Sequence, residues 1–248
     1  MDAGLQQSLK GLLIGAIVGL LLIAALYLNL CPTERLRLHD LLYPSSSDEA
    51  PVAIALLDET VLHRYGRPET WSADLYQALF LSLRETDARV VALTFPIPLQ
   101  AATAVAALPD AQNIVLPVLG TGNPHVRNGR LMYPYLLGPE PGRFSIGHIN
   151  LIPDADGVLR RLPLWVSSPG HTVPSLAWRA AALYLDTGIP FPTNGAFRWA
   201  GHTFVPDAAG QVLFYFSSTQ IPVYRLMDLR EPGIPPEAVQ GRIVFIGI

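Results

Sequence analysis

The chain has 248 residues, a formal net charge of −3 and a single cysteine, Cys31. The acidic balance implies no basic nucleic-acid surface, and one cysteine excludes a disulfide within the chain. Lys10 is the only lysine. No later residue can therefore serve as a Schiff-base or P-loop lysine, which removes several enzyme classes.

Residues 1–10 form a short tail. Gly11 to Leu30, "GLLIGAIVGLLLIAALYLNL", carries no charge. Twenty helical residues reach roughly 30 Å, about the hydrocarbon thickness of a bilayer, so 11–30 is expected to be one transmembrane helix. The run is long for a signal-peptide core, and Leu30 before Cys31 does not suit a lipoprotein signal. The short tail favours a cytoplasmic start, with the remainder of the chain outside the inner membrane.

Residues 31–51 read as a linker. Glu34 to Tyr43 can form a short amphipathic helix before Ser45-Ser46-Ser47 and Pro51. The folded domain, 52–248, opens with "VAIALL", an apolar run suited to a buried strand. Ser72 is placed to cap a helix whose Leu75, Leu79 and Leu83 share one face. Arg89 to Phe95 is a second buried strand, so the first two strands form a βαβ unit and should run parallel. Gln100 to Leu108 reads as helical and "NIVLPVL" from Asn113 as a third strand.

Gly120 to Arg143 reads as a surface excursion. Ser145 to Ile152 and Gly157 to Val166 are expected to be strands of a hairpin turned by "PDAD". Pro174 to Leu185 is a helix, with Pro174 in its first turn and Gly188 on its C-terminal side. Gln211 to Phe216 is a strand, Ile221 to Leu229 a short helix, and "GRIVFIGI" (Gly241 to Ile248) a closing strand. The expected fold is α/β: a mixed, largely parallel sheet flanked by helices, preceded by one transmembrane helix. A buried strand this close to the chain end suggests a piece of a longer protein.

Asp154-x-Asp156-Gly157 fails as a calcium loop, because position 5 is Val158, position 12 is Trp165 and the glycine stands at position 4. Asp-Gly is instead a turn dipeptide. Arg160 and Arg161 should face opposite sides of a strand, so at most one serves a given pocket; solvated edge arginines, or pairing with Asp154 or Asp156, are the alternatives to an anion-binding role. Gly142-x-x-Ser145-x-Gly147 has the wrong spacing for a nucleophile elbow. No two of the six histidines stand at zinc spacing. His148, beside Asn150, is the histidine best placed to face a pocket, with a structural role as the alternative. Asp58 and Glu59 follow the first strand directly, where open α/β sheets bind ligands; a cap or loop role is the alternative. The candidate ligand-binding residues are thus Asp58, Glu59, His148, Asn150 and Arg160. No catalytic set, metal site or cofactor is expected.

Taken in order, Asp58-Glu59, Gly147-His148-x-Asn150, Asp154-x-Asp156-Gly157-x-x-Arg160 and Gly241-Arg242-x-Val244-x-x-Gly247 resemble the second class of CHASE domains. These are extracellular sensory modules associated with cyclases and histidine kinases. The resemblance covers roughly Val52 to Ile248. It implies a membrane-anchored bacterial signal-transduction receptor that senses an unidentified small-molecule ligand or another environmental condition; a homodimer is also expected. A missing cytoplasmic output module such as a nucleotide cyclase or protein kinase would follow. The linker and the last strand would be the levers that carry a signal. A ligand-free dimerisation or docking module on the outer face of the membrane is the other expectation. Three features depart from the family pattern: Trp71 is displaced, Thr94 stands where the second strand usually carries Asp, and Arg242 replaces the closing lysine. If those groups bind a family ligand, this member binds something else or nothing.

Overall fold

The structure is a computed structural model. It describes residues 3–27, 51–109, 111–140, 144–154, 156–191, 195–214, 221–226, 228 and 233–248. The helix expected within 34–43, and all of the linker except Pro51, lie outside these residues. The chain divides into two compact units. One is residues 1–45 with 155–158; the other is 46–154 with 159–248.

In the first unit, helix α1 runs from Ala3 to Tyr27. Gln6, Gln7, Ser8 and Lys10 make its first part polar. Its charge-free part, from Gly11 to Tyr27, is roughly 25 Å long at 1.5 Å per residue, short of the ~30 Å a bilayer core requires. The residues that would extend it, 28–30, are not among those described. No helix among the described residues is long and apolar enough to cross a membrane, so the expected span is not supported here. The turn of this unit is built as the sequence indicates: Gly157 has φ +80°, and the Asp156 carboxylate accepts from the Val158 N–H at 3.2 Å.

The second unit begins with strand β1 (Val52–Leu57), helix α2 (Glu59–Tyr65), helix α3 (Ala73–Glu85) and strand β2 (Val90–Leu93). Helix α4 (Leu99–Ala106) leads to β3 (Ile114–Thr121). Three short strands follow, β4 (His125–Arg127), β5 (Arg130–Met132) and β6 (Tyr135–Leu137), then β7 (Ser145–His148). Next come β8 (Arg161–Pro163), β9 (Trp165–Ser168) and β10 (His171–Pro174), and helix α5 (Leu176–Tyr184). The chain continues through β11 (Phe197–Trp199), β12 (His202–Phe204), β13 (Gln211–Leu213) and β14 (Val223–Leu226), and on to helix α6 (Pro236–Val239) and β15 (Ile243–Gly247).

The main sheet has the order β14-β1-β15-β2-β3, with β7 parallel and β6 antiparallel on β3. β14, β1, β15, β2, β3 and β7 all run parallel. β15 therefore inserts between the two strands of the first βαβ unit, with Ile54 opposite Phe245 and Val244 opposite Val91.

Period-two alternation sorts the two faces. Val91, Leu93, Val244 and Ile246 pack in one core with Tyr76, Leu79 and Leu83 of α3 and Ala101, Ala102 and Val105 of α4. Val90, Ala92, Val115 and Ile243 pack on the opposite face with Leu176 and Ala180 of α5. Helices thus cover both faces, as a parallel sheet requires. Trp71 is a core residue of the first face. Its indole N–H donates to the Gly66 carbonyl at 2.9 Å, and its ring meets Tyr76 and Phe95 at 5.4 and 6.2 Å.

Several expectations are corrected. The helix expected over 221–229 is not found at 221–226 or 228, the residues of that range that are described. Val223 to Leu226 is an edge strand on β1, because Pro222 removes a helical donor and the β-branched and aromatic side chains suit a half-buried ladder. The expected hairpin across "PDAD" does not form. β7 pairs with β3, β8 pairs with β13, and β9 joins β10 and β5 in a second sheet that also takes β4. The supposed excursion 120–143 supplies three of these short strands. Pro174 ends β10 rather than opening α5; Ser175 is the cap, accepting from the Trp178 N–H at 3.2 Å. The left-handed residue after α5 is Asp186, with φ 51°, not Gly188.

Candidate functional site

At the carboxyl ends of β2, β15 and β7 lies a cavity of about 260 Å³. Thr94 follows β2, Phe245 sits in β15, His148 ends β7 and Ile149, Asn150 and Leu151 follow it; Leu162 and the first turn of α5 with its cap (Ser175, Leu176, Ala177) close it. This is the edge of an open parallel sheet where ligands characteristically bind.

Its position depends on how closely β7 meets α5. A Cβ on Gly147 would lie 2.4 Å from the Leu176 Cα, so only glycine allows this approach. The contact brings the His148 backbone to a bridge with Ser175. His148 is 1% exposed and Leu151 is 54% exposed, so the first belongs to the floor and the second to the rim.

The polar groups are unequally engaged. The Asn150 side chain accepts from the Gly120 N–H at 2.7 Å and donates to the Gly120 carbonyl at 2.8 Å. It clamps β3 next to its carboxyl end and spends its amide there. The Thr94 hydroxyl donates to the Ile246 carbonyl at 2.9 Å, as does the Thr94 backbone N–H, tying the cavity to β15. Neither nitrogen of His148 has a well-formed hydrogen bond. Burial pushes its pKa down to about 3, with the Pro163 carbonyl acting weakly the other way. The imidazole is therefore neutral at ordinary pH.

The structure brings His148 and Asn150 together and places the other candidates elsewhere. Asp58 caps α2, accepting from the Thr60 N–H at 3.0 Å and standing 3.8 Å from Arg225. Those hydrogen bonds, with Arg225 beside them, hold its carboxyl below the usual carboxylate range. Glu59 is exposed in the first turn of α2. Arg160 is 4% exposed and stands 3.4 Å from Asp154, whose other oxygen is 2.6 Å from Arg161. The two arginines do not work on opposite faces. Arg160 lies outside β8, so strand alternation does not govern it, and both reach one carboxylate.

Sequence reasoning missed Ser175 and Phe245 as lining residues and met Thr94 only as a family departure. Their convergence needs the insertion of β15 between β1 and β2, which no local pattern announces.

A larger cavity, about 530 Å³, opens at the amino ends of β2 and β3 among Phe80, Arg84, Asp87, Arg89 and Asn113. It has a rim of mixed charge and, among the described residues, no buried polar side chain in its lining, so size alone does not make it the better site. Among the described residues, no group of three or more His, Cys, Asp or Glu is arranged to hold a metal.

A doubly covered parallel sheet with an apolar cavity at its carboxyl edge defines an open α/β domain. Comparison with known families matches residues 16–248 to the CHASE2 domain, and the chain belongs to that family. CHASE2 domains are the extracellular sensory domains of signalling receptors. Neither the curated proteins nor the solved structures contain a match.

Proposed function

We propose that this chain is the extracytoplasmic input domain of a membrane-bound receptor, and that the cavity floored by His148 receives its signal. The domain relays occupancy to an output module such as a nucleotide cyclase or protein kinase, with the apolar run 11–30 as its anchor. The observation that carries this reading is the joint origin of the cavity wall. Phe245 lines it, and Thr94, also a lining residue, binds the β15 backbone at Ile246. A ligand that favours one position of these side chains favours one position of β15, which is what differential binding to two states requires.

The test is to fill the cavity from its rim. Leu151→Trp places a large ring at an exposed lining position and should leave the fold intact. In the complete receptor it is expected to abolish the response to stimulus with membrane-fraction levels unchanged. A normal response from this variant would refute the cavity as the input.

A further inference from the structure

We infer that the cavity floored by His148 takes a small apolar molecule with no hydrogen-bonding group in its buried part. The inference rests on this cavity being the input site proposed above.

Three observations carry it. First, among the described residues the lining contains no Asp, Glu, Lys or Arg. A buried charge would find no partner there, which is strongly unfavourable. Second, six of the ten described lining residues are apolar: Ile149, Leu151, Leu162, Leu176, Ala177 and Phe245. Third, the four polar side chains are spent or sealed. Asn150 is committed to Gly120 through both its oxygen and its amide nitrogen. Ser175 is 1% exposed, and its hydroxyl oxygen accepts from the Trp178 N–H. Both ring nitrogens of His148 are buried, so its ring can offer only carbon to an occupant. Of the four, only Thr94 is exposed, which places it at the mouth, and its hydroxyl proton goes to Ile246.

A polar end of the ligand can therefore stay at the mouth, beside Thr94 and water. Any deeper hydroxyl or amide would lose its water partners and gain none from these side chains. As for size, an apolar cavity of about 150 Å³ already holds benzene, so one of about 260 Å³ admits a single substituted ring or a short branched chain.

The experiment is calorimetric titration of the full chain in lipid nanodiscs at pH 7.5 under argon, with empty discs as the blank. The probes are para-xylene and hydroquinone, in which two methyl groups are exchanged for two hydroxyls of similar size. The substituents stand at opposite ends of the ring, so hydroquinone cannot enter without burying one hydroxyl. Para-xylene should bind, and hydroquinone should bind about tenfold or more weakly, the cost of one unpartnered buried hydroxyl. Leu151→Trp should abolish para-xylene binding at an unchanged urea midpoint.

A smaller difference between the two probes, with Leu151→Trp blocking both, would overturn the apolar class while leaving the cavity as the input site. If neither probe bound the natural chain, or if para-xylene bound Leu151→Trp as it binds the natural chain, the ligand class would also fall. The receptor response of that variant would then decide the sensory reading separately.

Discussion

His148 is a titratable side chain buried at the floor of an apolar cavity. Its folded pKa lies far below the ordinary value of 6.5. Between those two values the unfolded chain binds a proton that the native state refuses. Stability from this group is complete above about pH 6.5 and is lost as pH falls. At pH 5 the loss should be roughly 2 kcal/mol, since the unfolded imidazole is then about 1.5 units below its own pKa. Asp58 acts in the same direction, but at lower pH, as pH falls through about 3.8, the ordinary value at which its unfolded carboxyl is half-protonated. The measurement is the denaturation midpoint of the natural chain and of His148→Phe from pH 7.5 to 4.5. The variant should show a flatter profile; parallel curves would mean that the buried imidazole is not what responds.

At the scale of elements, the approach of β7 to α5 sets the cavity. Gly147→Ala drives a methyl group against the Leu176 backbone, which no rotamer change can relieve. We expect a destabilisation of roughly 2–3 kcal/mol, read as a lower urea midpoint at unchanged slope. The same elements show what can be read from a linear chain. β1, β2, β3 and β15 are continuous apolar runs because both of their faces are covered, and burial of that kind is visible in composition. β14 was misread because it lies at the sheet edge. Val223 and Arg225 are exposed while Leu226 is buried, so its pattern carries little signal and its pairing with β1 decides its form. The strands of the second sheet have only three or four residues each, too few for a period-two alternation to stand out. Of the candidate cavity's lining, His148 and Asn150 could be named together from the sequence because they share one short motif. Ser175 and Phe245 became site residues only through contacts between elements far apart in sequence.

At the scale of the whole second unit, β1 and β15 are parallel neighbours, with Val52 opposite Ile243 and Leu56 opposite Gly247. A pull on Val52 from its amino side and on Gly247 from its carboxyl side loads all the ladder's hydrogen bonds at once. A pull on the carboxyl ends of both strands opens them one after another. With Cys31 replaced by Ser, handles on Pro51→Cys and Ile248→Cys should therefore rupture in optical tweezers at a higher force than handles on Asp58→Cys and Ile248→Cys. Equal forces would show that the ladder is not what resists. The geometry makes this pair of strands a shear clamp. Tension along it moves the joined strands as one stiff strut, and the cavity wall formed by Phe245 rides on that strut.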